Sequence, residues 1–136
     1  MFGIKNYTII DIPLTNVAQS YFLGRCIGND SILLAGDNLN EDERIKIIPS
    51  NMLPEIKETF DLIVNVDSMT EMPLNIAEDY WSFILSHSKY FLSINHEINP
   101  FTIRDLYKTN PKCTVNSSRY FYPLRRGYIE EIIKIL

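Results

Sequence analysis

The alternation of short apolar runs with segments of helical periodicity constrains the fold most. Residues 7–11 ("YTIID"), 60–66 ("FDLIVNV") and 89–95 ("KYFLSIN") are rich in β-branched and aromatic residues, which is typical of buried strands. Two further short apolar runs lie near residues 31–36 and 44–50. Strands that alternate with helices predict an α/β layer fold with a mostly parallel sheet.

Three segments have the spacing of amphipathic helices. The first follows Pro13 and stops at Gly28, and its apolar positions recur every three or four residues: Leu14, Val17, Ala18, Tyr21 and Phe22. The second begins at Ser68 and carries Ala77, Tyr80, Trp81, Ile84 and Leu85 on one face. The third covers residues 100–110, with Pro100 near its first turn.

The carboxyl-terminal region reads as a hairpin. Two strand-like runs, "TVNSSRYFYPL" and "YIEEIIKIL", flank the turn "RRG" at residues 125–127. Strands joined by so short a turn predict an antiparallel edge on the sheet. The 136 residues contain no repeat or linker, so the sequence predicts one domain over 1–136.

Composition and charge narrow the class of partner. The net charge of −4 disfavours binding to nucleic acid, which requires basic surfaces. No apolar run approaches the roughly 20 residues of a membrane span, and the first residues lack the pattern of a signal peptide. We therefore expect a cytoplasmic protein with neither a membrane nor a nucleic-acid partner.

Polar side chains follow the predicted strands at the point where each ends. In parallel sheets, ligands bind beyond the carboxyl ends of the strands. The strand ends in question are Asp11, Ser50–Asn51, Asn65–Asp67 and Asn95–His96–Glu97. The sequence therefore predicts a binding site along this edge.

Three segments together resemble the sugar O-methyltransferases, class I enzymes that use S-adenosylmethionine. These segments are "YTIIDIPLTNVAQSYFL", "FDLIVNVDSMTEMP" and "FLSINHE", and the resemblance runs from residue 7 to the carboxyl terminus. It implies a Rossmann-like, doubly wound sheet that ends in an antiparallel hairpin. It also implies methyl transfer from S-adenosylmethionine to a hydroxyl of a sugar or glycan-like acceptor.

The sequence departs from this family in its glycines. Class I methyltransferases hold the methionine part of the cofactor with a glycine-rich loop after their first strand. None of the five glycines here forms G-x-G-x-x-G, and six residues precede Tyr7, whereas a strand, loop and helix need roughly 30. We therefore expect the carboxyl-terminal part of such an enzyme, with the amino-terminal strand, loop and helix missing and no activity of its own.

A non-catalytic function is the alternative. A truncated α/β domain could fold without binding the cofactor, and the strand edges that it exposes would favour pairing between copies. On this ground we expect a homo-oligomer.

The resemblance assigns three residues to the cofactor. Asp11 would accept hydrogen bonds from the ribose hydroxyls, although it could also serve as a turn residue before Pro13. Asn51 would contact adenine, with Asp37 as the competing candidate. Asn65, in an otherwise apolar strand, would face the cofactor because an unpartnered polar group is costly to bury.

Two residues are the candidates for catalysis. His96 titrates in the range suited to removing a proton from an acceptor hydroxyl, and Asp67 lies at the neighbouring strand end. A loop histidine without a catalytic role is the alternative for His96. We assign no residue to a metal.

Three residues are candidates for substrate binding. Glu71 could contact the acceptor, although Ser68-Met-Thr-Glu71 also fits a helix capping box. Glu97 could contact the acceptor, orient His96 or, as an alternative, bind a metal together with Asp67. Arg125 could contribute to an acceptor-binding rim, although it also suits a solvated hairpin turn.

Overall fold

The chain forms two compact units in a computed structural model that describes residues 6–39, 44–108, 110 and 113–136. The first unit extends to Ile56, and the second runs from Lys57 to Leu136. Whether the two units make one domain, as the length suggested, stays a prediction.

The first unit is a small parallel sheet with one long helix. Its elements are β1 (Tyr7–Asp11), α1 (Pro13–Ile27), β2 (Ile32–Leu34) and β3 (Ile45–Pro49). The strand order is β1-β3-β2, with β3 parallel to both neighbours. Pro54 lies within a single 3-10 segment, Ser50–Glu55, because a proline ring cannot continue an α-helix.

The helix α1 begins and ends where the sequence predicted, but its apolar positions point outward. Asn16 is its buried residue, whereas the exposed apolar side chains are Leu14, Val17, Tyr21 and Phe22. The inward face is polar because it is tied to the end of β1. Asn16 Nδ2 donates to the Asp11 carbonyl, and Gln19 Nε2 donates to the Asp11 carboxylate.

The second unit is a mixed sheet. Its elements are β4 (Phe60–Val66), α2 (Leu74–His87), β5 (Ser88–His96), α3 (Ile103–Tyr107), β6 (Cys113–Phe121) and β7 (Tyr128–Ile135). The order is β4-β5-β7-β6, with β4 parallel to β5 and the other pairs antiparallel. This arrangement confirms the antiparallel hairpin at the end of the chain.

The helix α2 starts later than its sequence pattern indicated. Residues Met69–Glu71 form a 3-10 turn, and α2 begins at Leu74 after Pro73. The expected capping box is wrong, since Ser68 makes no side-chain cap to this turn and its Oγ accepts a hydrogen bond from Asn65 instead. The segment between β4 and α2 is therefore a polar turn that follows the strand.

The core of the second unit lies between its sheet and its helices. Phe91 of β5 and Ile133 of β7 are register partners and are fully buried. Trp81 of α2 meets Phe91 edge to face, with their ring centroids 5.8 Å apart. Burial alternates along β5, so the face that carries Phe91 is covered by the helices.

The α/β class and the mixture of parallel and antiparallel strands are confirmed. A single doubly wound sheet stays a prediction, because β1 and β4 are each the edge strand of a separate sheet among the described residues. In the same part of the chain, no helix has the length and apolar character needed to cross a membrane.

Candidate functional site

In the first unit, the predicted cofactor residues lie at one edge of the sheet. The register pairs Asp11 with Pro49, and Asn51 follows two residues later in an exposed turn. The Asp11 carboxylate accepts hydrogen bonds from the Ile12 amide at 2.8 Å and from Gln19 Nε2 at 3.0 Å, one at each oxygen. Each oxygen retains a lone pair, so the carboxylate could still accept from a ligand hydroxyl.

Asp37, the competing candidate for adenine, closes its own turn. Its carboxylate accepts a hydrogen bond from the Leu34 amide at 2.8 Å, at the end of β2. This contact gives Asp37 a local structural role. Asn51 therefore remains the better candidate at this edge.

In the second unit, four side chains gather where β4, β5 and β7 meet. We call Asp67, His96, Arg125 and Tyr128 the Asp67 cluster. The Asp67 carboxylate accepts from the Tyr128 hydroxyl at 2.6 Å and from Arg125 Nη1 at 2.8 Å. Tyr128 is the register partner of His96, their rings meet edge to face at 4.9 Å, and the Arg125 guanidinium lies 4.3 Å from the Tyr128 ring centre.

The backbone at the end of β4 directs Asp67 into this cluster. Its φ of 56° lies in the left-handed region, which aspartate tolerates better than most residues. Its amide donates to the Ile94 carbonyl at 2.9 Å, which fixes the turn against β5. The carboxylate is thereby brought within reach of the β6–β7 turn that carries Arg125.

The cluster has a defined charge state. The hydrogen bond from Tyr128 lowers the pKa of Asp67, burial opposes this, and Arg125 lowers it further. The bond to the Asp67 carboxylate and the burial of the phenol raise the pKa of Tyr128. At neutral pH, the carboxylate is therefore ionised and the phenol keeps its proton.

His96 is held in one tautomer. Its Nδ1 accepts a hydrogen bond from the Ile98 amide at 3.0 Å, so the neutral ring carries its proton on Nε2. Nε2 faces Gly127, where an added Cβ would lie only 2.5 Å away. In this arrangement Nε2 is a donor, so a role as general base would require a different tautomer.

Asn65 supports the turn after β4. Its side-chain oxygen accepts from the Met69 amide at 3.2 Å and from Asn95 Nδ2 at 3.0 Å, and its Nδ2 donates to Ser68 Oγ at 2.7 Å. Both lone pairs of the oxygen are thus occupied, and one N–H remains for a ligand. This network accounts for the polar residues that interrupt the apolar strand β4.

Glu97 and Glu71 occupy different surroundings. Glu97 pairs with Arg119, which also donates from Nε to the buried Glu131 carboxylate at 3.1 Å. Glu131 in turn accepts from the Tyr107 hydroxyl at 2.9 Å. Glu71 is exposed, and its charge is close enough to contribute to the raised pKa of Tyr128.

The sequence therefore identified Asp67, His96 and Arg125, which the structure brings together, but missed Tyr128 and Arg119. Tyr128 follows the turn "RRG" directly and starts β7, a position that strand pairing places opposite the end of β5. Knowledge of the hairpin register would have revealed it. No pattern in the sequence indicated Arg119, because its carboxylate partners are Glu131 on β7 and Glu97 just after β5.

Among the described residues, no group of three or more His, Cys, Asp or Glu side chains is placed to hold a metal ion. The sequence matches no protein-family model and no curated protein.

Solved structures share the fold. PigF, in a structure with SAH, aligns with 96% of this chain and 43% of its own length, at 9% identity and a TM-score of 0.58. A protein from Pseudomonas syringae described as a methyltransferase aligns with 98% of this chain and 90% of its own, at 11% identity and a TM-score of 0.50. The chain has the fold of these structures. This chain spans less than half of the length of PigF and most of the length of the Pseudomonas syringae protein.

Proposed function

We propose that this chain carries the core of an S-adenosylmethionine-dependent O-methyltransferase of the cytoplasm, which acts on a hydroxyl group of a sugar or glycan-like molecule. The observation that carries the proposal is the fold shared with PigF, whose structure contains SAH. The polar strand ends add support, since they lie where ligands bind in parallel sheets.

The first unit offers groups that fit the adenosine half of the cofactor. Asp11 would accept hydrogen bonds from the ribose hydroxyls through its remaining lone pairs, and Asn51 would face the adenine. Asn65 belongs to the second unit and keeps one free N–H, and its assignment to the cofactor stays a prediction. The 136 residues contain no glycine-rich loop for the methionine end, so we expect the chain to bind the cofactor weakly.

The second unit offers groups that fit a polyhydroxylated acceptor. When bound, the cofactor would supply a sulfonium-activated methyl group. The hydroxyl oxygen would bond to the methyl carbon as the carbon–sulfur bond breaks, and the hydroxyl proton would pass to the Asp67 carboxylate. Asp67 is the proposed recipient of the hydrogen bond from that hydroxyl, because it is ionised and each oxygen keeps a lone pair. Arg125 and Glu71 would bind neighbouring hydroxyls.

His96 and Glu97 have supporting roles in this proposal. The Nε2 proton and the contact with Gly127 leave His96 poorly placed to take a proton. It would instead hold the Tyr128 ring, which orients Asp67. Glu97 would fix the end of β5 through Arg119.

Titration of the ¹⁵N-labelled chain with S-adenosylhomocysteine tests the cofactor site. We expect shifts of the amide signals of Asp11 and Ile12, and loss of these shifts in Asp11→Ala. Asp61→Asn, which changes an exposed carboxylate on β4, should respond as the wild type does. No shift at Asp11 at millimolar ligand would leave the non-catalytic α/β domain as the better account of this chain.

Incubation with S-adenosylmethionine and a panel of sugars and glycans tests the reaction. A product heavier by one methylene group, formed by the wild type and not by Asp67→Asn, would support O-methylation at this site. Binding of the cofactor without any methylated sugar would agree with a chain that has no activity of its own and would retain the cofactor site.

A further inference from the structure

Three buried polar side chains lie beside the core of the second unit and have no part in the proposed reaction. Ser93 and Asn95 follow Phe91 at alternate positions of β5, so they share its covered face. Ser93 is 1% exposed and Asn95 is 4% exposed, and Thr70, in the 3-10 turn after β4, is 1% exposed. Buried polar groups destabilise a fold unless hydrogen bonds satisfy them, so each of these side chains needs partners within the unit.

Asn95 is the centre of a hydrogen-bond network. Its Nδ2 donates to Asn65 Oδ1 at 3.0 Å and to Ser93 Oγ at 2.8 Å. Its Oδ1 accepts from Thr70 Oγ1 at 3.4 Å. Thr70 Oγ1 in turn accepts from Asn99 Nδ2 at 2.7 Å, which joins the loop after β5 to the turn after β4. We call these five residues the Asn95 network: Asn65, Thr70, Ser93, Asn95 and Asn99.

A backbone group fixes the orientation of the Asn95 amide. The Met69 amide can only donate, and it donates to Asn65 Oδ1 at 3.2 Å. Because this same oxygen faces Asn95, Asn95 must present its Nδ2 to Asn65. The Asn95 oxygen is then directed to Thr70. One side chain of β5 therefore contacts both the end of β4 and the turn that follows it.

The network holds both ends of the turn that carries Asp67. Asp67 lies between Asn65 and Thr70, and its φ of 56° costs about 1 kcal/mol in a residue other than glycine. A strained backbone persists only where the surrounding structure holds it. The Ser68 hydroxyl does not cap this turn, because it accepts from Asn65. The contacts from β5 are therefore the ones that stabilise the turn.

We propose that Asn95 is a positioning residue for the Asp67 cluster. Through Asn65 and Thr70 it holds the turn in the conformation that brings the Asp67 carboxylate to the Tyr128 hydroxyl, 2.6 Å away. Asn95 itself touches neither an acceptor nor the reacting atoms. The importance of Asp67 for an acceptor rests on the proposed function, whereas the position of its carboxylate can be measured without any ligand.

Titration of Asp67 by carboxyl NMR tests this role in Asn95→Ala. Loss of the network should free the turn and weaken the contact with Tyr128, so the pKa of Asp67 should rise toward its ordinary value. Phe91→Leu is the control, because it changes packing on the same face of β5 and removes no side-chain hydrogen bond; the pKa of Asp67 should not change. An unchanged pKa in folded Asn95→Ala, or an equal rise in Phe91→Leu, would overturn the proposal.

A second pair of variants decides the question if Asn95→Ala does not fold. Thr70→Val keeps the shape of the side chain and removes its hydroxyl, whereas Thr70→Ser keeps the hydroxyl. The pKa of Asp67 should rise in Thr70→Val and stay at the wild-type value in Thr70→Ser, and equal values in the two variants would refute the role of the network. These titrations use no cofactor or acceptor, so a failure to bind S-adenosylhomocysteine or to methylate a sugar would count against the proposed function alone.

Discussion

Replacing Tyr107 by phenylalanine removes a buried hydrogen bond to Glu131. The Tyr107 hydroxyl donates to the Glu131 carboxylate at 2.9 Å, and Glu131 is only 2% exposed. Without this donor, the buried carboxylate still accepts from Arg119 Nε at 3.1 Å, its other partner among the described residues. Hydrogen bonds to buried charged groups contribute about 1.5–3 kcal/mol, so we expect the free energy of unfolding to fall by about 2 kcal/mol.

Urea denaturation followed by tryptophan fluorescence measures this change. Trp81 is the sole tryptophan and packs on Phe91 in the core of the second unit, so its emission reports the unfolding of that unit. For a unit of this size, about 2 kcal/mol corresponds to a fall in Tm of about 10 °C. A loss below about 0.5 kcal/mol would refute the role given to this hydroxyl.

Two matched variants separate charge from packing. In a Glu131→Gln background the acceptor is neutral, so removal of the hydroxyl should cost about half as much. Tyr120→Phe alters a tyrosine that is 64% exposed and should change stability by less than about 0.5 kcal/mol. An equal cost in both backgrounds would mean that the hydroxyl does not sense the carboxylate charge.

Three further predictions concern the site and the core. Tyr128→Phe should raise the pKa of Asp67, as measured by carboxyl NMR, and an unchanged pKa would contradict the contact. Because the pKa of Asp67 is lowered in the folded chain, the ionised carboxylate stabilises the fold above about pH 4. This stabilisation is lost as the pH falls through the pKa of Asp67 in the folded chain. Gly127→Ala should displace the His96 ring, because the added Cβ would meet His96 Nε2. The φ of +83° adds backbone strain, so the free energy of unfolding should fall by at least about 1 kcal/mol. Unchanged NMR signals of the His96 ring would contradict this. Phe91→Ala should cost about 3–5 kcal/mol by the Trp81 assay, and a smaller loss would show that the core collapses around the cavity.

The sequence predicted the elements of this chain well because its strands and helices differ in apolar period. The strand at 7–11 and the helix that ends before Gly28 have their expected bounds. The hairpin at the carboxyl end also forms, although β6 ends at Phe121 and not at Leu124 as the sequence predicted. The local spacing of apolar residues is enough to predict these strands and this helix. Periodicity alone could not decide which face of α1 turns inward, because hydrogen bonds from Asn16 and Gln19 to Asp11 oppose the apolar pattern.

The sequence predicted the site residues that directly follow a strand. It did not predict the contacts that depend on how the strands pair with one another. Asp67 and His96 follow β4 and β5 directly, so the order of elements placed them. Tyr128 comes from the hairpin, whose register the sequence does not state. Arg125 was a candidate from the turn at residues 125–127, but its contact with Asp67 depends on the same register. The capping box at Ser68 failed because Asn65 competes for the same hydroxyl.

The left-handed backbone of Asp67 bears on how its carboxylate can be dissected. Alanine at this position would lose the charge and also pay a conformational penalty of about 1 kcal/mol, so a weakened variant would mix two causes. Asparagine tolerates the same φ and removes the charge, but its amide nitrogen replaces one of the two oxygens that accept from Tyr128 and Arg125. Asparagine therefore reports the loss of the charge together with one hydrogen bond, and glycine reports the loss of the whole side chain at a φ that glycine adopts without strain.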